Sequence, residues 1–308
     1  MCERYAPGVS VLAAEGELPS TCTLCGAQET RPAYHKNGFE VVRCAECNLV
    51  YVSDAPSADV LRQHYDWRFF QGGTERFGYH DYERESAALN RNFRQRIKLI
   101  ERHCRGGQLL DVGCALGYFM AQLGSHWAPV GSELSGDVAE YTRRTFGFDV
   151  VEGEFDQIDL PNGSYDVVTM WDVIEHARNP MRMLKKAAQL LRPGGVLALT
   201  TGDIGSICAR VSGQRWYLMV PPTHLFFFTN ATLKRAVTQA GLTIVDVRYT
   251  GKHVAFSEIF FRLSYILGVS AFERLAERIA RTPLGEVSLY YNLRDIMTLV
   301  AVKRNAPS

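Results

Sequence analysis

Four cysteines near the N-terminus have the types and spacing of a metal site. Cys22 and Cys25 form one Cys-x2-Cys pair, and Cys44 and Cys47 form a second pair after an interval of 18 residues. Each pair occupies a tight turn, so two thiolates from each turn complete a tetrahedron around Zn²⁺. Because sulfur takes all four positions, the predicted ion is structural rather than catalytic. A pair of disulfides or four unconnected thiols is the alternative.

A glycine-punctuated turn is the second feature with chemical meaning. The run 109–119, LLDVGCALGYF, is an apolar strand followed by a turn that contains Gly113 and Gly117 and opens a helix. Such a turn lets the backbone approach a bound ligand closely. Glu133 follows Asp111 by 22 positions, at the end of the next apolar run, where a carboxylate can accept hydrogen bonds from ribose hydroxyls. Together the two features predict a site for an adenosine-containing ligand.

Three further segments follow in a fixed order. They are 164–176, SYDVVTMWDVIEH, then 190–195, LLRPGG, then the strand 196–200, VLALT. In this order, and with the glycine turn, the chain resembles class I S-adenosylmethionine-dependent methyltransferases over roughly residues 85 to 250. Ala115 stands where the commonest turn of that family has a middle glycine. The resemblance implies S-adenosylmethionine as the methyl donor.

The resemblance also implies which residues contact the cofactor. Glu133 would bind the ribose, Phe155 would flank the adenine, and Trp171 with Asp172 would lie beside the methionine moiety. A turn or helix-capping role is the alternative for Asp111. The full predicted set is Asp111, Gly113, Cys114, Gly117, Glu133, Leu134, Glu154, Phe155, Trp171 and Asp172.

Two histidines are candidates for the general base. A hydroxyl or activated carbon must lose a proton when it is methylated, and histidine is suited to accept it. His176 follows the fourth strand directly, although in the resembling family this position is often structural or gating. His224 lies in the segment 220–229, VPPTHLFFFT, in the loop that normally faces the acceptor, and Trp216 and Tyr217 are predicted walls of that pocket. A satisfied hydrogen-bonding role is the alternative for either histidine.

The loop of His224 and the cysteine module together are similar to two groups of enzymes. Zinc-ribbon C-methyltransferases that act on nucleotide-linked deoxysugars use a histidine in the corresponding loop as the base. They also carry a further C-terminal domain, which this sequence does not include. Quinone-pathway and natural-product O-methyltransferases are equally similar. The predicted acceptor is therefore a small molecule: a sugar, quinone, lipid or secondary metabolite.

The elements that must position these residues alternate between short apolar strands and helices, which predicts an α/β fold. The resemblance implies a Rossmann-like, seven-stranded sheet of order 3-2-1-4-5-7-6 with an antiparallel last strand. The predicted strands are 108–113, 128–133, 149–152, 165–171, 195–201, 243–250 and 295–303, with a helix at 230–241. The predicted organisation is a loose N-terminus at 1–18, a zinc-binding module at 19–54, a helical connection at 55–107 and a methyltransferase domain at 108–308.

We also predict the structure or role of three segments that lie outside the motifs. Aromatic residues at 65–70 and 79–82 indicate either a lid over the site or anchors to the core. The basic stretch 91–105 is predicted to be a solvated amphipathic helix. The insertion 252–290 has the three-four spacing of an amphipathic helical hairpin, which would pack on its own domain or form a homodimer; membrane-surface binding is the alternative.

Composition limits the classes of partner. Lys and Arg number 34 and Asp and Glu 33, for a formal charge of +1, so no global field exists to hold a polyanion. No apolar run approaches the roughly 20 residues of a membrane span, and the first residues lack the apolar core of a signal peptide, so we expect a cytoplasmic protein. The alternatives to a small-molecule methyltransferase are an RNA methyltransferase, a nicotinamide dehydrogenase and a non-catalytic cofactor-binding protein. The cysteine module carries few basic residues for RNA.

Overall fold

The computed structural model describes residues 21–54 and 86–304. The N-terminus predicted to be loose and the aromatic segments predicted to be a lid or anchors lie outside the described residues. In chain order the strands are β1 Thr30–Lys36, β2 Phe39–Cys44, β3 Val50–Val52, β4 Gly107–Val112, β5 Trp127–Glu133, β6 Asp149–Glu152, β7 Tyr165–Trp171, β8 Leu191–Gly202, β9 Phe226–Phe227, β10 Leu242–Tyr249, β11 Lys252–Ala255, β12 Ser288–Tyr291 and β13 Ile296–Lys303. The helices are α1 Ser86–Ile100, α2 Gly136–Phe146, α3 Pro180–Leu190, α4 Ile207–Ser212, α5 Asn230–Gln239, α6 Phe256–Leu267 and α7 Ser270–Ala280.

The larger sheet has seven strands in the order β6-β5-β4-β7-β8-β13-β10. Counted along the chain within this sheet, the order is 3-2-1-4-5-7-6, as predicted. Strands β4 to β8 pair in parallel, whereas β13 is antiparallel to both of its neighbours. Strand β7 is buried from Tyr165 to Met170, as expected for a central strand that is covered on both faces. The α/β fold is confirmed.

Strand β8 begins four residues earlier than predicted, whereas the other strands of this sheet begin within one residue of their predicted starts. Strand β8 starts at Leu191, directly after α3, and not at Gly195. Tyr165 pairs with Leu191, but Val167 pairs with Val196, so the residues between form a bulge against β7. Helix α3 ends at Leu190, before the sequence Arg-Pro-Gly-Gly, and Leu191 is already extended, with φ −65° and ψ 136°.

A smaller four-stranded sheet contains the cysteine module. Its order is β1-β2-β3-β9, and its strands are all antiparallel. The fourth strand, β9, comes from the segment that follows His224, far along the chain from the other three. Buried residues of the module, among them Val41 and Leu49, belong to the same hydrophobic cluster as Leu225 and Phe228. The module therefore shares a core with the domain of the large sheet.

Helix α1 lies just before the first strand of the large sheet. Leu89, Phe93, Ile97 and Ile100 form its buried stripe, which confirms that the helix is amphipathic. Its basic residues are not all solvated, however. The side chain of Arg96 is only 12% exposed, because it turns back to the sheet and binds Asp172.

The insertion is the predicted helical hairpin with an unpredicted ribbon at its base. Helices α6 and α7 meet at Gly268, whose φ of +68° caps α6. Strands β11 and β12 pair with each other at the two ends of the insertion. These strands were missed because four residues are too few to show a period. Among the described residues, no helix is both long and apolar enough to cross a membrane.

Candidate active site

The glycine turn follows β4 at the carboxyl edge of the large sheet. Gly113, Ala115 and Gly117 all have a positive φ, at +66°, +48° and +75°. A Cβ on Gly113 would lie 2.8 Å from Cγ2 of Val173, and one on Gly117 would lie 2.5 Å from Cγ2 of Thr142. Both glycines are therefore needed for the backbone conformation and for the close packing of the turn. Ligands of open parallel sheets bind at this edge.

Glu133 ends the neighbouring strand and holds the turn in place. Its Oε2 accepts a hydrogen bond from the Ala115 amide at 3.0 Å, and its Oε1 accepts from the Leu134 and Ser135 amides at 2.8 and 3.1 Å. Burial raises the pKa of this carboxyl, while the three amides oppose the rise. A carboxylate has about four lone-pair positions, so Oε2 can accept one further hydrogen bond.

Asp111 lies within the sheet and faces a neighbouring strand. Its Oδ1 accepts a hydrogen bond from Oγ1 of Thr169 at 2.6 Å, and the residue is only 2% exposed. Burial raises the pKa of Asp111 to about 7, although the Thr169 hydroxyl and the charge of Arg96 oppose the rise. The structure thus buries the Asp111 side chain against β7, where it binds Thr169. Cys114, in the turn itself, is also buried, and its Sγ would be 2.5 Å from a Cβ on Gly131.

Asp172 follows β7 and is the centre of a charge cluster. Its Oδ2 accepts from Nη2 of Arg96 at 2.8 Å and lies 3.6 Å from Nζ of Lys252, and its Oδ1 accepts from Oγ1 of Thr200 at 2.9 Å. Burial opposes ionisation, but Lys252 and Arg96 outweigh it and hold the pKa of Asp172 well below its usual range. The guanidinium carbon of Arg96 also lies 4.9 Å from the ring centroid of Trp171. Trp171 and Asp172 thus lie together at the strand end, as predicted.

The two candidate histidines meet at the same edge. The rings of His176 and His224 are arranged edge to face with their centroids 4.7 Å apart. Nδ1 of His176 donates to the Thr223 carbonyl and Nδ1 of His224 donates to the Leu218 carbonyl, each at 2.8 Å. Burial and the neighbouring His176 ring lower the pKa of His224 well below its usual value. His224 is therefore neutral near pH 7 and carries its lone pair on Nε2.

Glu175 completes this group. It is 4% exposed, and burial together with the charge of Asp172 raises its pKa to about 8. Glu175, His176 and His224 each bring a potential ligand atom within 4.8 Å of the others. Sequence reasoning did not single out Glu175, Arg96 or Lys252. The position of Glu175 next to His176 was the available signal, whereas the two cations come from distant segments.

The predicted pocket walls are buried, and one of them lines a small cavity. Trp216 is 1% exposed and its Nε1 donates to Oδ2 of Asp295 at 3.1 Å, while Tyr217 is 5% exposed. The cavity is lined by Glu175, Thr201, Gly202, Trp216, Leu218, His224, Phe226 and Phe227. His224 and Trp216 thus line one small cavity, which Tyr217 does not line.

Glu154 and Phe155, two residues of the predicted cofactor set, lie after β6. Phe155 is 6% exposed and packs in the main hydrophobic cluster, with Nζ of Lys186 lying 5.4 Å from its ring centroid. The backbone carbonyl of Glu154 accepts hydrogen bonds from the amides of Gln157 and Ile158. These two residues are thus placed in a well-packed turn, at the strand next to that of Glu133.

The four cysteines come together as predicted. Sγ of Cys22 lies 3.5 Å from Sγ of Cys47, Sγ of Cys25 lies 3.5 Å from Sγ of Cys44, and all four sulfurs lie within 4.8 Å of one another. Four thiolates around Zn²⁺ at about 2.3 Å would be separated by about 3.8 Å. The donor set and its dimensions therefore fit one tetrahedral ion.

Comparisons with known proteins agree with this geometry. The family model described as a methyltransferase domain matches residues 81–247, which is more than half of the chain. The chain therefore belongs to the methyltransferase-domain family. It is an S-adenosylmethionine-dependent methyltransferase of the class that the sheet order and the glycine turn define.

Individual relatives are more distant. Ubiquinone biosynthesis O-methyltransferases of Coxiella burnetii (strain RSA 331 / Henzerling II) and Burkholderia mallei (strain ATCC 23344) are each 28% identical over 174 residues. The alignments cover 51% of this chain and 73% and 75% of those proteins. A solved structure from Bacillus halodurans, assigned to the methyltransferases, has a TM-score of 0.50 at 15% identity and covers 69% of this chain and all of that one. This likeness concerns the fold alone.

Proposed function

We propose that this enzyme transfers the methyl group of S-adenosylmethionine to an oxygen or carbon of a small-molecule acceptor, with a histidine as the proton acceptor. The observation that carries the proposal is the pairing of His176 and His224, with ring centroids 4.7 Å apart, at the strand edge that also carries Asp172. The groups that we propose for proton transfer and for cofactor binding thus lie at one edge of one sheet.

The cofactor side of the site fits an adenosine-containing methyl donor. In the turn, Gly113 presents exposed backbone at this edge, whereas Gly117 is buried against Thr142. Oε2 of Glu133 can accept from a ribose hydroxyl, and Trp171 presents a ring and Asp172 a carboxylate near the methionine end of the predicted set. The bound sulfonium supplies an electrophilic methyl group, which an acceptor attacks in line. The enzyme must hold the nucleophile near that carbon and exclude water.

The acceptor side supplies the proton chemistry. Because the Leu218 carbonyl fixes the Nδ1–H of His224, Nε2 is the basic atom and its direction is set. The depressed pKa keeps this nitrogen unprotonated near pH 7. Glu175, with its raised pKa, stays protonated in the resting site near pH 7. His176 packs edge-on against His224 and positions it.

The acceptor we favour is a hydroxyl of a small aromatic or quinone-pathway compound. The ubiquinone O-methyltransferases that the chain resembles support this class. An acceptor carbon on a nucleotide-linked deoxysugar is the second candidate, because a four-cysteine module is combined here with a histidine in the acceptor loop.

Calorimetric titration with S-adenosylmethionine, S-adenosylhomocysteine and NAD, followed by methyl-transfer assays, tests the proposal. We expect both sulfur nucleotides to bind and NAD not to bind. A simple catechol such as 3,4-dihydroxybenzoate and a nucleotide-linked deoxysugar then serve as acceptor probes, with mass spectrometry of the products. If protein that binds the donor methylates neither probe, both proposed acceptor classes are wrong. If only NAD binds, the proposed methyl transfer itself is wrong.

We further propose that Cys22, Cys25, Cys44 and Cys47 hold one structural Zn²⁺. All four ligands are sulfur, so no coordination position remains for substrate. Metal analysis of the purified protein is expected to give one zinc per chain, and Cys44→Ser is expected to lower this value. Cys104→Ser is the matched control, because Cys104 lies outside the cluster and its Sγ donates to the Gly106 carbonyl. Unchanged zinc content in Cys44→Ser would contradict the assignment.

A further inference from the structure

The loop that carries His224 is held between two parts of the molecule. On one side, the amide of Leu225 donates to the Glu175 carbonyl at 2.8 Å and the Thr223 carbonyl accepts from Nδ1 of His176 at 2.8 Å. These bonds tie the loop to the turn after β7. They also bring the two histidines together.

The cysteine module supplies the other side. Strand β3 pairs with β9, with Val50 opposite Phe227 and Tyr51 opposite Phe226. The Val52 amide donates to the Leu225 carbonyl at 2.9 Å, one residue beyond His224. The rings of Tyr51 and Phe226 also stack with centroids 5.9 Å apart.

A second contact reaches the loop before His224. Nδ2 of Asn37, in the turn between β1 and β2, donates to the Pro221 carbonyl at 2.8 Å. The backbone of Asn37 has a φ of +53°, a conformation that Asn, Asp and Gly tolerate. The module thus holds the loop at Pro221 and at Leu225, on both sides of the histidine.

The module itself depends on its cysteines for shape. Cys44 ends β2, and the turn from Cys44 to Asn48 leads directly into β3, with the Cys44 amide donating to the Leu49 carbonyl at 2.9 Å. Removing a tetrahedral ion from a small module removes a large part of its folding free energy. Strand β3 would then lose the support that places it against β9.

We propose that the four-cysteine module is a positioning element of the acceptor site, which holds the loop 220–228 and thereby His224 through strand β3 and the side chain of Asn37. Asn37 is then a positioning residue, because it acts on His224 through the loop and does not contact the reacting atoms. The inference rests on the proposed function for its catalytic consequence, but its structural part can be tested without turnover.

The test uses the full chain in its metal-bound form with two substitutions at Asn37. Asn37→Asp keeps the size and the tolerated backbone conformation but removes the N–H donor, and Asn37→Gly removes the side chain without adding backbone strain. His35→Ala is the matched control, since His35 bonds the exposed Glu40 within the same hairpin and its Nδ1 lies 2.7 Å from Oε1 of that residue.

Two readouts report the loop directly. Hydrogen–deuterium exchange of the peptide that covers 220–228 is expected to become roughly tenfold faster in both Asn37 variants, the effect of one lost hydrogen bond, and to remain unchanged in His35→Ala. The ¹⁵N signals of the His224 ring, identified by their absence in His224→Gln, are expected to shift in the Asn37 variants. Chelation of the metal in the unsubstituted protein is expected to produce the same changes at larger size.

Donor binding and turnover separate this inference from the proposed function. We expect the Asn37 variants to bind S-adenosylmethionine with unchanged affinity while KM for the active acceptor probe rises or kcat falls. Unchanged exchange and unchanged His224 signals in both Asn37 variants and in the chelated protein would overturn the inference, whatever the activity. Failure of every form, including the unsubstituted protein, to bind the donor would instead count against the proposed function.

Discussion

The imidazole rings of His176 and His224 lie edge to face with their centroids 4.7 Å apart, although 47 residues separate them in sequence. Each ring donates its Nδ1–H to a backbone carbonyl of the segment 218–223. The orientation of both side chains is therefore set by one stretch of backbone. This arrangement fixes which nitrogen of His224 is available as a base, and it makes the role of that residue testable.

Replacing His224 should slow methyl transfer and leave donor binding intact. In His224→Gln we expect kcat to fall by roughly 10²- to 10⁴-fold, the usual contribution of a positioned base, because the glutamine amide cannot accept the proton. Calorimetry with S-adenosylmethionine and a steady-state assay measure the two effects. His126→Ala is the control, since His126 is an exposed residue that pairs with Glu101. Full activity in His224→Gln would show that His224 is not the general base.

Replacing Glu133 should weaken donor binding, which we expect His224→Gln to leave intact. Glu133→Ala removes the acceptor of three backbone amides in and beside the turn, as well as the predicted partner of the ribose. We expect the affinity for S-adenosylmethionine to fall by roughly 10- to 100-fold, the size expected when hydrogen bonds to a charged group are lost.

The measurement for this variant is a calorimetric titration of correctly folded protein. Glu140→Ala provides a matched comparison. In the part of the chain that the structure describes, the Glu140 side chain forms ion pairs with Arg143 and Arg144, which lie on the same helix α2. If Glu133→Ala bound the donor as tightly as Glu140→Ala, the ribose assignment would be wrong.

Glu175 should make the stability of the protein depend on pH. Its pKa is about 8 in the folded protein and about 4.3 in an unfolded chain, so the folded state binds the extra proton. The contribution of a group with a raised pKa is fully present below pH 4.3 and is lost as the pH rises towards 8.

Chemical denaturation of the unsubstituted protein and of Glu175→Gln, measured from pH 5 to 9, isolates this effect. As the pH rises from 5 to 9, we expect the unfolding free energy of the unsubstituted protein to fall by about 1 kcal/mol or more relative to that of Glu175→Gln, because Gln cannot ionise. Asp159→Asn gives the comparison with a carboxyl outside the histidine cluster. Parallel curves for Glu175→Gln and the unsubstituted protein would show that Glu175 does not titrate in this range.

The helical hairpin should mediate self-association. Leu267, Leu275 and Leu284 are each between 40% and 52% exposed on or next to α6 and α7, which is the pattern expected of a surface that packs against a second copy. We expect the protein to sediment as a dimer and Leu275→Glu to sediment as a monomer, with donor binding unchanged. Ile207→Glu is the control, because Ile207 is 80% exposed on α4. A monomeric unsubstituted protein at all concentrations would contradict the expectation.

Local sequence patterns were enough to predict much of the fold and part of the site. The boundaries of β6 and β7 follow from short apolar runs, and the sheet order follows from the family resemblance. The glycine turn was identified because Gly113 and Gly117 must adopt conformations that few residues tolerate, and such requirements are visible in sequence. The four cysteines were identified because metal ligation constrains spacing within each pair.

Other features were decided by contacts between segments that are distant in sequence. Arg96 belongs to a stretch with the charge pattern of a solvated helix, yet it binds Asp172 because the helix packs beside the end of β7. Strand β9 has only two residues, and nothing in Phe226–Phe227 indicates that their partner is β3 of the cysteine module. Local sequence specifies which conformations are accessible and which residues can bind metal or cofactor. Long-range pairing and burial determine which charges meet and which loop the cysteine module supports, because these depend on the complete packed chain.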